Sequence, residues 1–297
     1  MTADPINSVG LSETNLALYS RVAHLAAATI IDEYSSSFGL ASRLLAAEYR
    51  AGVQDIYALV RVADEIVDGA ATEAGVSLSA QGALLDGLEA ETHKALGSGY
   101  SANLVVHAFA TTARGAGITE SLTRPFFASM RRDLSPVNFT QDDIREYIYG
   151  SAEVIGLMCL AVFLRDQPVD SATRLRLEEG ARRLGAAFQK INFLRDLAAD
   201  YTQLGRRYFP GVNPETLSES EKKVLIDDID ADLAVAQEAI DTLPAGCRRA
   251  VRAAYLLFAT LTKRLRDTPA SQLLKRRVRV SSAGKVALVA RVFVGAS

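Results

Sequence analysis

Helical periodicity runs through almost the whole chain and restricts the fold more than any other feature. Apolar residues recur every three or four positions, good helix formers fill most segments, and strand patterns are nearly absent. Turn-forming sequences such as Gly97-Ser98-Gly99 separate the segments. The pattern predicts helices over 14–33, 49–68, 78–96, 101–114, 119–134, 141–164, 170–202, 218–241, 245–267 and 283–293.

The breaks between these helices are too short and too apolar to be linkers. We therefore expect one all-α domain over 14–293, with tails at 1–13 and 294–297. The run Val154–Leu164 is apolar on every face, which indicates a helix surrounded by other helices. The bundle should thus have a centre, which is either a filled core or a cavity for an apolar ligand.

Composition excludes several classes of protein. A chain of 297 residues with 49% hydrophobic residues is neither disordered nor fibrous, and a net charge of −2 argues against nucleic acid as a partner. Two cysteines are too few for a disulfide scaffold. There is no signal-peptide pattern, and the longest apolar run is about half of the ~20 residues that a spanning helix needs. We expect a cytoplasmic protein, soluble or peripheral on a membrane.

Two of the predicted helices carry a narrow polar stripe on an otherwise apolar surface. In the helix over 49–68, residues spaced by 4, 3 and 4 positions share one face: Tyr57, Arg61, Asp64 and Asp68. In the helix over 170–202, residues spaced by 3, 4 and 4 positions do the same: Gln189, Asn192, Asp196 and Asp200. Each stripe therefore ends in an Asp-x-x-x-Asp pair.

Such pairs need compensation if they point inwards. Like charges four positions apart disfavour a helix by about 0.2–0.5 kcal/mol, and by more when they lose water. Mg²⁺ prefers carboxylate oxygens and bridges to phosphates, so two pairs on facing helices would hold such ions over a diphosphate. A single pair is more often a solvated surface. The second pair and the nearby cations Arg195 and Arg206 favour the metal site.

Other candidates give weaker patterns. The three histidines, His24, His93 and His107, lack ligand spacing and are expected to be structural or exposed. Nucleotide-binding loops and nucleophile elbows are not apparent in the sequence. Glu153 in the apolar central helix has two interpretations: a buried acid paired with an arginine, or a polar group lining a cavity.

Four motifs occur in an order and at spacings typical of one known family. They are Tyr34-Ser35-Ser36-Ser37-Phe38, the run from Asp55 to Asp68, the run from Gln189 to Asp196 with Asp200, and Gly205-Arg206-Arg207-Tyr208-Phe209-Pro210. Together they resemble the head-to-head prenyl synthases, which comprise the squalene, dehydrosqualene and phytoene synthases. The segment 147–156 is most similar to bacterial phytoene synthases.

The resemblance implies an isoprenoid-synthase fold, a helical bundle around a central cavity, and a Mg²⁺-dependent prenyltransferase in which Mn²⁺ can substitute. It implies head-to-head condensation of two geranylgeranyl diphosphates to 15-cis-phytoene in carotenoid biosynthesis, through a cyclopropyl (prephytoene) diphosphate. The alternative is a dehydrosqualene or squalene synthase that acts on two farnesyl diphosphates. A head-to-tail enzyme or terpene cyclase is disfavoured because no Asp-Asp-x-x-Asp motif occurs, and a non-enzymatic scaffold is the remaining rival.

The family's roles carry over position by position. The implied metal ligands are Asp64, Asp68, Asn192, Asp196 and Asp200. The implied catalytic residues are Tyr57, Arg61, Tyr147, Arg195 and Tyr208, and we expect the three tyrosines to stabilise cations through their ring faces. The implied substrate contacts are Tyr34, Ser35, Ser36, Ser37, Phe38, Tyr57, Arg61, Gln189, Arg206, Tyr255, Arg277 and Lys285.

The chain departs from the family pattern at three places. Glu153 replaces a small residue beside the expected cavity, and Tyr34 stands where many members have histidine. Ser42 occupies a position that is often aromatic, which leaves room for a longer prenyl tail.

The C-terminal segment from Lys263 to Arg291 is strongly basic, with Asp267 as its one acid. It can be a solvated tail, it can capture diphosphate through Arg277 or Lys285, or it can contact anionic lipid. The apolar residues that follow Lys285 give the third alternative, peripheral membrane contact, enough apolar surface to lie in an interface.

Overall fold

The structure, a computed structural model, describes residues 13–35, 38–135, 139–204, 207–275, 277–281, 284 and 287–288, with the side chains of 199, 200 and 202–204 excepted. Helices and their connections make up this part of the chain, which contains no β-strand. The α-helices are α1 (Asn15–Tyr34), α2 (Phe38–Ser42), α3 (Ala47–Val67), α4 (Ala70–Glu73), α5 (Leu78–Ser98), α6 (Leu104–Ala116), α7 (Glu120–Arg132), α8 (Gln141–Ile148), α9 (Val154–Leu164), α10 (Ser171–Leu204), α11 (Glu219–Ile240), α12 (Ala245–Asp267) and α13 (Ala270–Leu273).

Side-chain caps set several of the helix starts. Thr140 caps α8 and Ser218 caps α11, and in both cases the acid three positions later bonds back to the cap residue's backbone amide. These reciprocal capping boxes satisfy amides that have no partner within the helix. The box at Ser218 is the one that its Ser-x-x-Glu spacing predicts.

Most of the predicted helices are confirmed to within a few residues, and α12 matches its predicted range. The segment 141–164 differs, because a π-helical turn (Tyr149–Glu153) separates α8 from α9. Three helices, α2, α4 and α13, are too short to show a period and were not predicted. The predicted helix 283–293 and both tails lie mostly outside the described residues. Glu13, which we assigned to the tail, forms an ion pair with Arg21 of α1.

The apolar helix α9 lies at the centre of the bundle, as predicted, and packs against α3, α6, α7 and α10. The continuous helical path Gln141–Leu164 has 24 residues and a window of mean hydropathy 1.8, so length and composition alone would let it cross a membrane. Our estimate from the sequence counted only the run Val154–Leu164. A helix in the core of a bundle can have the same length and composition, and 56% of the most apolar 18-residue stretch is buried inside the bundle.

Very close backbone contacts hold the central helix against α10. A Cβ on Gly156 would lie 2.4 Å from the carbonyl oxygen of Ala181, and a Cβ on Gly185 would lie 2.6 Å from that of Ala152. Two glycines on facing helices thus replace side chains where the backbones meet. This contact fixes the distance between two walls of the cavity described below.

Substituting one of these glycines should separate the helices. We expect Gly156→Ala to lower the free energy of unfolding by about 2 kcal/mol or more, because the methyl group collides with backbone that cannot rotate away. Urea denaturation measures the change. The matched control is Gly87→Ala in α5, where nothing lies within 4 Å of the new Cβ, so helix propensity should leave stability unchanged or raise it by about 0.5–1 kcal/mol. Equal effects of the two substitutions would contradict the close-contact account.

Candidate functional site

A cavity of about 1020 Å³ occupies the middle of the bundle. Its lining residues come from α1, α2, α3, α7, α8, α9, α10, α11 and α12, from the turns beside them, and from the segment 277–281. Most of the wall is apolar, with Val53, Ile56, Leu160 and Phe163 on one part and Leu184, Ala236 and Leu257 on another. The central helix therefore lines a cavity, which resolves the choice that the sequence left open.

The polar stripe of α3 faces this cavity, as its spacing predicts. Its members Tyr57, Arg61, Asp64 and Asp68 are all lining residues, and Glu65, which we did not select, joins them. The Arg61 guanidinium lies 3.4 Å from the Glu65 carboxylate and 3.9 Å from that of Asp64. It also lies 5.2 Å from the centre of the Tyr34 ring, within the range of a cation–π contact. Arg61 is thus oriented before any ligand binds.

Asp64 is an unusually weak acid in this position. Loss of water raises its pKa from 3.8 to about 7, and the negative charges of Asp68 and Glu65 add to the rise, whereas Arg61 opposes it. The side chain keeps 38% of its surface accessible, and because Asp64 lines the cavity, this surface faces the interior of the bundle. A carboxylate with this environment is short of positive charge.

The polar stripe of α10 lines the same cavity. Gln189, Asn192 and Asp196 are lining residues, together with Arg195. Two guanidinium groups hold the Asp196 carboxylate. Arg195 Nε donates to Asp196 Oδ1 over 3.0 Å, and Arg277 Nη2, from a distant part of the chain, donates to Asp196 Oδ2 over 3.0 Å. The backbone of α10 is described at Asp200, but the Asp200 side chain lies outside the described residues.

Several polar atoms of the cavity wall are buried without a hydrogen-bond partner. Within the described part of the chain there are five such side-chain atoms, and three belong to lining residues: Arg61 Nε, Ser151 Oγ and Asn192 Oδ1. Unsatisfied buried polar atoms are costly and uncommon in folded proteins. That three of them line one cavity is typical of a site that binds a polar ligand.

An aromatic cluster adjoins the stripe of α10. Tyr208 stacks on Phe193 with ring centres 3.9 Å apart and planes 10° apart, and Tyr147 lies 5.9 Å from Tyr208. The Tyr147 hydroxyl donates to Asp133 Oδ1 over 2.8 Å. One face of Tyr208 is therefore covered by Phe193, a contact that our expectation of an open ring face did not include. Asp133 was missed because it follows the end of α7 and belongs to no periodic stripe.

The remaining predicted contacts divide into three groups. Tyr34, Ser35 and Phe38 line the cavity. Tyr255 is not among the lining residues, and its hydroxyl donates to Gln237 Oε1 over 2.8 Å. The other four lie outside the described residues: Ser36, Ser37, Arg206 and Lys285.

The residues that the sequence set aside have structural partners. Arg182 Nε donates to Glu153 over 2.7 Å, so the interpretation of Glu153 as an acid paired with an arginine is confirmed. His24 bonds the buried Asp55, and His93 bonds Thr123. His107 bonds Ser20.

The donor chemistry of the two stripes fits a hard divalent cation. Every candidate ligand is an oxygen, and Asn192 Oδ1 is an unpaired amide oxygen. In the chain as far as it is described, however, no three His, Cys, Asp or Glu side chains lie close enough together to hold a metal ion. Arginines already compensate part of the aspartate charge, as Arg195 and Arg277 do at Asp196.

The raised pKa of Asp64 predicts a pH-dependent stability for the metal-free protein. The folded state holds the proton between about pH 3.8 and 7 while the unfolded state releases it, so stability falls as the pH rises through this window. Asp64→Asn should abolish this loss and, with chelator present, make the protein more stable at pH 8 by about 1–2 kcal/mol after allowance for cavity solvent.

Urea denaturation at pH 5 and pH 8 checks this expectation. The stability difference between Asp64→Asn and the unchanged protein should shrink at the lower pH. Asp227→Asn is the matched control, because Asp227 is an exposed aspartate paired with Lys223. A difference that is the same at both pH values would contradict the environment described for Asp64.

Comparison with known proteins gives a consistent result. The sequence pattern of the squalene/phytoene synthase family matches residues 31–283. A 15-cis-phytoene synthase from Paracoccus sp. is 27% identical over 277 residues, which cover 87% of each chain. Phytoene synthase 1 from Arabidopsis thaliana chloroplasts is 31% identical over 60% of this chain. The matched part covers 40% of that longer protein.

Solved structures share the fold. A dehydrosqualene synthase in complex with ligand superimposes with a TM-score of 0.75 at 22% identity, over 93% of this chain and 97% of the other. Squalene synthase HpnC from Alicyclobacillus acidocaldarius gives 0.71 at 18% identity, over 84% and 95%. The predicted all-α isoprenoid-synthase fold is confirmed. The chain belongs to the squalene/phytoene synthase family of prenyltransferase enzymes.

Proposed function

We propose that this enzyme condenses two geranylgeranyl diphosphates head to head into phytoene, through prephytoene diphosphate, in carotenoid biosynthesis. The observation that carries the proposal is that the polar stripes of two separate helices line one otherwise apolar cavity. Such a wall suits a molecule with an anionic head and a long hydrocarbon tail. The name of the Paracoccus relative, 15-cis-phytoene synthase, supports the choice of product.

The size of the cavity supports two substrates. Its volume of about 1020 Å³ lies at the upper limit of the roughly 300–1,000 Å³ that small-molecule sites usually occupy. Its apolar wall excludes water from the region where an allylic cation would form, which protects that cation from hydration.

Arginine side chains are the natural partners of the diphosphates. Arg61, Arg195 and Arg277 line the cavity and carry the planar, bidentate donors that match phosphate oxygens. Arg61 is held between a tyrosine ring and two carboxylates, so its direction is set before substrate arrives. We assign the three arginines to binding and orienting the diphosphate groups.

Mg²⁺, or Mn²⁺ in its place, would be held by Asp64, Asp68, Asn192, Asp196 and Asp200. When bound, the metal supplies positive charge that stabilises the departing diphosphate. Support comes from the oxygen-only donor set, from the unpaired Asn192 Oδ1 and from the shortage of positive charge around Asp64.

Tyrosines would act on the hydrocarbon part of the substrate. Tyr57 and Tyr147 line the cavity, and Tyr147 is oriented through its hydroxyl by Asp133. Because Phe193 covers one face of Tyr208, we assign Tyr208 mainly to shaping the wall. Released diphosphate would accept the proton that the cation loses.

Synthesis of a C30 product from two farnesyl diphosphates is the second candidate. The names of the similar solved structures, dehydrosqualene synthase and squalene synthase, favour it. Ser42 favours the longer substrate, because it is a small residue that lines the cavity and its hydroxyl donates to the Gly39 carbonyl over 2.9 Å. Peripheral membrane contact by the basic C-terminal segment stays a prediction, since Lys285 and 289–297 lie outside the described residues.

A product assay with purified enzyme tests the proposal. Incubation with geranylgeranyl diphosphate and Mg²⁺ should yield a C40 hydrocarbon, and farnesyl diphosphate alone should yield much less C30 product. Asp196→Asn should lower the rate by about 100-fold or more, because charge stabilisation at the departing group is lost. The control Asp227→Asn should keep the rate. A C30 product without any C40 product would favour the second candidate, and no hydrocarbon from either substrate would contradict both.

A further inference from the structure

The Asp196 carboxylate is held from two directions. Arg277 Nε lies 2.5 Å from Asp196 Oδ1, and Arg277 Nη2 lies 3.0 Å from Asp196 Oδ2, so this guanidinium engages both oxygens. Arg195, the neighbour of Asp196 on α10, engages the same oxygens. Such paired, charge-assisted bonds are the strongest that an arginine makes with a carboxylate. They use the oxygens that a metal ion would need.

The backbone that carries Arg277 is anchored independently of Asp196. Val278 and Val280, which follow Arg277 along the chain, pack against the apolar core of α10, α11 and α12. Arg264 Nη1 also donates to the Arg279 carbonyl oxygen over 2.5 Å. The Arg277 side chain itself is 47% accessible. It can therefore change its partner while the backbone stays in place.

Charge around the cavity is close to balance without any bound ion, with one acid in excess. Among the described residues, the charged side chains that line the cavity are five acids and four arginines: Asp64, Glu65, Asp68, Asp133 and Asp196, and Arg61, Arg195, Arg277 and Arg279. A divalent cation that entered alone would disturb this balance and would be repelled by the arginines. A cation that entered with a diphosphate would not disturb the balance, because the diphosphate supplies negative charge. The diphosphate also supplies a new partner for a guanidinium.

We propose that Arg277 is an exchangeable counter-ion of Asp196, which holds the carboxylate in the metal-free enzyme and passes to the diphosphate when the metal binds. The proposal rests on the proposed function, because it takes Asp196 as a metal ligand. It makes Arg277 a positioning residue that opposes binding of metal alone. Metal and diphosphate would then enter the site together.

Binding of Mn²⁺ alone to the full-length enzyme tests this proposal, with free Mn²⁺ measured by electron paramagnetic resonance. We expect Arg277→Gln to raise the affinity for Mn²⁺ by about tenfold, because the competing charge-assisted bonds are removed. Lys275→Gln is the matched control, since it removes the same charge two positions earlier from an exposed side chain. Arg277→Lys keeps the charge without the bidentate geometry and should give a smaller gain.

A second substitution shows whether the gain belongs to Asp196. In the double variant Arg277→Gln, Asp196→Asn the gain in Mn²⁺ affinity should disappear. Equal affinity of the unchanged enzyme and Arg277→Gln, with binding that Asp196→Asn still weakens, would overturn the proposal and leave the proposed function intact. Binding that Asp196→Asn does not weaken would overturn the metal assignment on which both rest. Thermal melts of the variants confirm that each is folded.

Discussion

Compensation of carboxylates that face a cavity is the constraint on which the site depends. Aspartates from two helices point into a space whose wall is mostly apolar, where a charge without a partner is costly. Arg61 partly compensates the acids of α3, and Arg195 and Arg277 compensate Asp196. The compensation is incomplete at Asp64, whose pKa rises to about 7. The site is thus stable when empty of ligand, yet it still attracts positive charge.

The bundle keeps this space open by packing its walls elsewhere. Close contacts through Gly156 and Gly185 hold α9 and its π-helical turn on α10, while one apolar core forms around α9 and another around α10, α11 and α12. Because the helices that form the wall are packed on their outer sides, the cavity between their inner sides can stay open. The same helices therefore stabilise the fold and present the polar stripes, which explains how one apolar bundle carries a charged site.

Much of the fold, and the placing of the two polar stripes, could be predicted from the local sequence pattern. Spacings of three and four residues place Tyr57, Arg61 and Asp64 on one face because a helix repeats every 3.6 residues. The π-helical turn was not predicted, since its shifted hydrogen bonds leave composition and approximate period unchanged. Contacts between segments that are distant in sequence could not be predicted from a local pattern either. Arg277 meets Asp196 across 81 positions of sequence, and Asp133 meets Tyr147 from beyond the end of a helix.

The central claim is that the two polar stripes receive the diphosphates of two prenyl substrates whose tails fill one cavity. A crystal structure with Mg²⁺ and a thio-diphosphate analogue of geranylgeranyl diphosphate, which resists ionisation, tests it most directly. The account predicts two analogue molecules, with metal ions between their diphosphates and the aspartates of α3 and α10, and with both tails along the apolar wall that contains Ile56 and Leu160. A single bound analogue, or diphosphates bound away from Asp64 and Asp196, would contradict it.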